Sequence, residues 1–204
     1  MRVVFGRIAR IAAFTALASM FAAAGVPANG ATAGKEVEKL MPARTVTCWF
    51  DADRIDELIL NARGKLTFLM VDGKLGGALK RLNAEKYRTG GMTDIPDNIF
   101  QYASKYNARK KHVLLVARVQ ALKLWAFDSE KISVNGYSPA KEDIITGISS
   151  NPFEELRHGA KELAKGYNGF IGFFVPSDYL KQGAEIAIGY DGYVMPWKVP
   201  SENQ

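Results

Sequence analysis

The chain has 204 residues with 27 Lys and Arg against 21 Asp and Glu, a formal charge of +6, one cysteine and two histidines. A lone cysteine excludes an internal disulfide framework, and two histidines without a paired spacing argue against a zinc site. The balance is basic but modest, so the placement of the charges matters more than their sum.

The amino end predicts an export signal. Arg2, Arg7 and Arg10 precede an apolar stretch from Ile11 to Ala24, and small-residue cleavage patterns end at Ala24 and Ala33. Pro27, Asn29 and Gly30 interrupt the stretch before it reaches the ~20 apolar residues that a spanning helix needs. Residues 1–33 are therefore expected to be a signal peptide removed after Ala24 or Ala33. The destination would be the periplasm or the exterior, with no membrane span in the mature chain. Residues 34–44 read as a polar lead-in, 45–200 as a single globular domain, and 201–204 as a tail. About 170 residues suit one domain and bury a sizeable core without staples.

"RTVTCWF" is rich in β-branched and aromatic residues and predicts a first strand, with Cys48 a buried thiol rather than a nucleophile. "DADRIDELILNARG" predicts a helix: Ile55, Leu58, Ile59 and Ala62 recur at helical spacing, Asp53 caps the start and Gly64 closes the end. "KLTFLMV" predicts a strand ending at Asp72-Gly73. Two helices are expected next, one over "LGGALKRLNAEKY" and one over "TDIPDNIFQYASKYNA", where Pro96 suits a first turn.

"KKHVLLVARVQALKLWAFD" holds the longest apolar run of the mature part. As a strand it lines one face with Val113, Leu115, Ala117, Val119 and Ala121. The other face turns from Leu114 and Val116 to Arg118 and Gln120. Lys123 breaks the alternation, so a bulge or bend is expected near Ala121. Arg118 is expected to be partly exposed or paired with a carboxylate, because an unpaired buried arginine costs too much to keep.

Asn135-Gly136 is a hairpin signal, and "DIITGI" suggests a short strand. "NPFEELRHGAKELAKG" carries a helix start in Asn151, Pro152 and Glu154, weakened by Gly159 and Gly166, with a structured loop as the competitor. "GFIGFFVP", "AEIAIGY" and "YVMPWKVP" read as three terminal strands, Asp191-Gly192 joining the last two. Pro196 places the last one at an edge. The fold class expected is β-rich α+β: an antiparallel β-sandwich, immunoglobulin-like at the level of architecture, with helical insertions. The alternative is a mixed α+β sheet with helices on one face.

Motifs for chemistry are sparse. Asp51, Asp53, Asp56 and Glu57 lack the glycine and distal glutamate of a calcium loop. "DGKLGGALK" matches no phosphate-loop pattern, and no serine sits in a nucleophile elbow. No metal, cofactor or catalytic residue is assigned, and an enzyme is the less favoured reading. Two binding surfaces are candidates. Residues 74–111 carry nine basic residues against three acidic ones, a net +6, which singles out Lys80, Arg81, Arg109, Lys110 and Lys111 for an anionic partner. Export argues against nucleic acid, leaving an envelope protein, an anionic polymer or lipid headgroups. Trp125, Tyr190, Tyr193 and Trp197 form a candidate aromatic edge for a flat ligand. The function expected is an exported, non-catalytic β-domain that binds an envelope partner or anionic polymer. The alternatives are a small hydrolase with carboxylates gathered in a cleft and an aromatic-edge ligand-binding module.

Overall fold

The computed structural model describes residues 31–55, 58–88, 111–146, 148 and 155–201. The central sheet has five strands in the order β1-β4-β5-β10-β8: β1 (Thr45–Phe50), β4 (Gly64–Val71), β5 (His112–Ala121), β10 (Asn168–Pro176) and β8 (Ile144–Ile145). Every pairing in it is antiparallel. A second sheet runs β12-β11-β7, from Tyr193–Lys198, Glu185–Tyr190 and Ile132–Val134. Two ribbons complete the strands: β2 (Asp53–Ile55) with β3 (Leu58–Leu60), and β6 (Trp125–Asp128) with β9 (Ala160–Leu163). Among the described residues the α-helices are α1 (Ala31–Leu40) and α2 (Gly73–Arg88). A β-rich α+β fold with antiparallel sheets is thus present. The sheets are not closed into a barrel, and an immunoglobulin-like sandwich is not established.

β5 explains the layering. Its odd-numbered side chains Leu115, Ala117, Val119 and Ala121 are buried in a core shared with β7, β11, β12, β6 and β9. Leu114 and Val116 point the other way, into a smaller core made with α1 and α2. A strand buried on both faces needs a near-continuous apolar run, which "VLLVA" supplies. The chain leaves the sheet after Ala121 and re-enters a strand only at Trp125, so the expected bend is real.

Both tight turns follow their residues. Asn135 and Gly136 have φ of 52° and 86°, Asp191 and Gly192 of 49° and 83°, the left-handed pair that a two-residue hairpin requires. β12, which contains Pro196, is an edge strand. Cys48 is buried, its thiol directed at the Ile188 carbonyl at 3.3 Å.

Three expectations are corrected. Residues 53–55 and 58–60 are the paired strands β2 and β3 and not a helix. Phe50 and Gly64 are cross-strand partners, so the chain between them must return to its starting point. A hairpin extension does this, whereas a helix would carry the chain away with no layer to bury its stripe; Ile59 and Leu60 are exposed. Asp53 is accordingly no helix cap, and its carboxylate accepts from Asn61. The polar lead-in is the helix α1 followed by a turn of 3-10 helix at Pro42–Arg44. Ala33, Val37 and Leu40 fall at i, i+4 and i+7 and are buried in the helical core. Residues 160–163 of the suggested helix are the strand β9, held in register by Trp125↔Leu163. Gly159, at φ 96°, precedes it, a backbone value that no helix continues through. The helix expected around Pro96, and Asn151, Pro152 and Glu154, lie outside the described residues.

Candidate functional site

The two surfaces read from the sequence separate in three dimensions. Lys80, Arg81 and Lys111 are exposed, the first two on α2 and the third at the entry to β5. Arg81 is engaged with Glu36 of α1 at 2.7 Å. Arg109 and Lys110 lie outside the described residues. The aromatic edge is largely core: Trp125, Tyr190 and Trp197 are buried, and only Tyr193 is exposed, at 46%. Trp125 stacks on Phe50 with centroids 5.2 Å apart, and Phe127 stacks on Tyr190 at 5.3 Å. Trp125 also lies so close over Gly64 that a Cβ there would overlap its indole. The Tyr190 hydroxyl accepts from the Asp128 amide at 2.8 Å, and Trp197 Nε1 donates to the Ala43 carbonyl at 3.3 Å. These rings bury area and satisfy their polar tips internally, as core aromatics do.

A different site emerges on the helix-facing side of the central sheet. Cross-strand partners share a face, so register arranges this side in rows. Val71, Leu114 and Phe174 form one row and Leu69, Val116 and Gly172 the next, within or against the core made with α1 and α2. Then the chemistry changes. The third row is Thr47, Thr67, Arg118 and Phe170, and the fourth is Trp49, Lys65, Gln120 and Asn168. Of these eight, Thr67 is buried and the other seven are half-buried.

Within these rows the contacts are specific. Thr47 and Thr67 share a hydroxyl–hydroxyl bond of 3.3 Å. Arg118 Nε donates to Asn168 Oδ1 at 2.7 Å, which orients the guanidinium. Lys65 holds its ammonium 5.1 Å from the centroid of the Trp49 ring. Lys65 and Arg118 are diagonal neighbours on adjacent strands, about 7–8 Å apart by sheet geometry. Burial and then the Arg118 charge push the Lys65 pKa below its ordinary value, and burial lowers that of Arg118.

Arg118 meets the expectation of partial exposure, but its hydrogen-bond partner is an amide and not a carboxylate. Among the described residues no acid is ion-paired with either cation. Glu155, bridged in parallel to Phe170, is about two strand spacings (~10 Å) from Arg118. Sequence reasoning isolated Arg118 and missed its company, because Trp49, Lys65 and Asn168 come from three other strands. The one available signal was the charged alternation in "GKLT", where Lys65 interrupts an apolar strand.

Carboxylates elsewhere are engaged locally: Asp51 with Arg63, Asp72 with Arg44, Asp191 with Lys131, and Asp143 with the Tyr137 hydroxyl. Among the described residues no group of three His, Cys, Asp or Glu side chains is placed to hold a metal ion. No helix among them is long and apolar enough to cross a membrane. Comparison with protein-family models, curated proteins and solved structures returns no match to this chain.

Proposed function

We propose that this chain is an exported, non-catalytic β-domain that binds an anionic envelope ligand at the Lys65–Arg118 end of its central sheet. The observation that carries this reading is the pair itself: two half-buried, mutually repelling cations on one sheet face, ion-paired with no carboxylate among the described residues. Partial burial of like charges opposes folding, and sites of that kind are enriched where a protein needs charge for binding. An anion bridging the two would reverse both the desolvation and the repulsion. Magnitudes favour the exchange at Lys65. Its contact with Trp49 contributes about 0.5–1 kcal/mol, whereas a hydrogen bond to a charged group contributes about 1.5–3 kcal/mol.

The basic stretch 74–111 adds a long-range field that draws anions towards the molecule. Lys80, Arg81 and Lys111 are exposed, so they steer rather than bind. Retention of the protein on dextran sulfate over a salt gradient tests the assignment. Lys65→Gln with Arg118→Gln should lower the elution salt far more than Lys80→Gln, Arg81→Gln and Lys111→Gln combined. The reverse order would move the site to α2 and overturn the reading.

A further inference from the structure

Resting on that assignment, we infer that the ligand is an acidic glycan, a polymer of pyranose units with carboxylates at intervals, laid across the sheet face. Four features of the third and fourth rows carry this. Among the described residues of these two rows the cations are Lys65 and Arg118, and their neighbours Thr47, Thr67, Gln120 and Asn168 are neutral hydrogen-bonding side chains. That composition fits one carboxylate followed by hydroxyl-bearing rings. A strand with a phosphate at every unit calls instead for a continuous track of cations.

Second, a ring lies on either side of the centre, Trp49 on β1 and Phe170 on β10, both half-buried, with Phe170 packed against the helical core. The C–H face of a pyranose packs on a ring such as Trp49. Third, the Lys65 ammonium already lies over Trp49. A carboxylate between Lys65 and Arg118 draws that ammonium off the ring and frees the indole for the adjoining sugar, so charge recognition and stacking are coupled. Fourth, Arg118 is held through Nε by Asn168, which leaves the two Nη atoms as the fork for a carboxylate.

Calorimetry on the folded protein with oligogalacturonate, a neutral oligosaccharide of equal length, inorganic sulfate and single-stranded oligoribonucleotide separates the outcomes. The expected result is oligogalacturonate binding at least tenfold tighter than the other three. Arg118→Gln should weaken it at least tenfold. Trp49→Leu should weaken it about tenfold while leaving sulfate binding no weaker than in wild type, because the ring competes with the anion for the Lys65 ammonium, and Trp49→Phe should retain most of the affinity. Circular dichroism on each variant confirms that the fold is kept. Sulfate binding without preference for oligogalacturonate overturns the glycan inference and leaves the anion site standing. Tighter binding of the oligoribonucleotide replaces the glycan by a nucleic acid. Binding of none of the four removes the site and the function proposed from it.

Discussion

Arg44 grips Asp72 with two nitrogens, Nε at 2.9 Å and Nη2 at 2.8 Å from the same carboxylate oxygen. Arg44 is 1% exposed, and its Nη1 also donates to the Leu40 carbonyl at the end of α1. The other oxygen of Asp72 accepts from the Leu75 amide at 2.8 Å, capping α2. One carboxylate thus joins the end of α1, the entry to β1 and the start of α2.

Removing that carboxylate tests the clamp. Asp72→Asn keeps a capping oxygen but breaks the ion pair, which should cost about 3 kcal/mol, the lower end for a buried pair with one partner partly exposed. Asp72→Ala should cost about 1 kcal/mol more, through the lost cap. Urea unfolding measures both; two variants within ~0.5 kcal/mol of wild type would show that the clamp carries little stability.

The aromatic residues should divide by burial. Tyr190→Phe takes the acceptor from the Asp128 amide and should cost about 1–2 kcal/mol. Trp125→Ala opens a cavity beneath Phe50 and should cost about 3–5 kcal/mol. Tyr193→Ala, at an exposed ring, should cost about 1 kcal/mol or less. A larger loss at Tyr193 than at Tyr190 would contradict the placement of the core.

Lys65 should give the fold a pH dependence of unusual sign. Its folded-state pKa lies below the 10.5 of the unfolded chain, so across that interval the unfolded state binds more protons. Stability attributable to Lys65 therefore rises as pH rises through the window, and the penalty is fully present below the folded pKa. Lys65→Gln should flatten the alkaline slope, while near neutrality the relief of the like-charge pair, about 0.5 kcal/mol, is offset by the lost contact with Trp49. Anion affinity should run the other way, falling as Lys65 deprotonates. Denaturation of wild type and variant at several pH values reads the first effect, and identical slopes would refute it.

On the proposed export reading, the expected outcome is cleavage after Ala24 rather than after Ala33. Ala33 is 3% exposed and belongs to the stripe that joins α1 to α2 and the sheet. Cleavage after it would delete the first turn of α1 and set a new ammonium group at the helix amino end, where the dipole disfavours it. Intact mass of protein recovered from the envelope should place the amino terminus at Gly25; a terminus at Gly34 would reverse this.

Much of the architecture was legible along the chain. The even and odd sides of "VLLVARVQA", the Asn-Gly and Asp-Gly turns, α2 and the three terminal strands are local patterns, written in alternation, helical spacing and left-handed turn residues. The β2–β3 segment was misread because Ile55, Leu58, Ile59 and Ala62 satisfy helical spacing, while the pairing of Phe50 with Gly64 that demands a hairpin is not a local property. α1 was hidden because its first turn overlaps a cleavage pattern and its stripe has meaning only against α2.

The sequence by itself determined that Arg118 sits where an apolar strand face turns polar, because period-two alternation is an intrinsic property of the backbone. Only the tertiary structure decided what surrounds that position. Register between β1, β4, β5 and β10 sets Trp49, Lys65, Asn168 and Phe170 around it, and α1 and α2 bury other rows of the same face. Residues far apart along the chain share a site through strand pairing, and pairing is settled by the burial of the whole sheet rather than by any one strand.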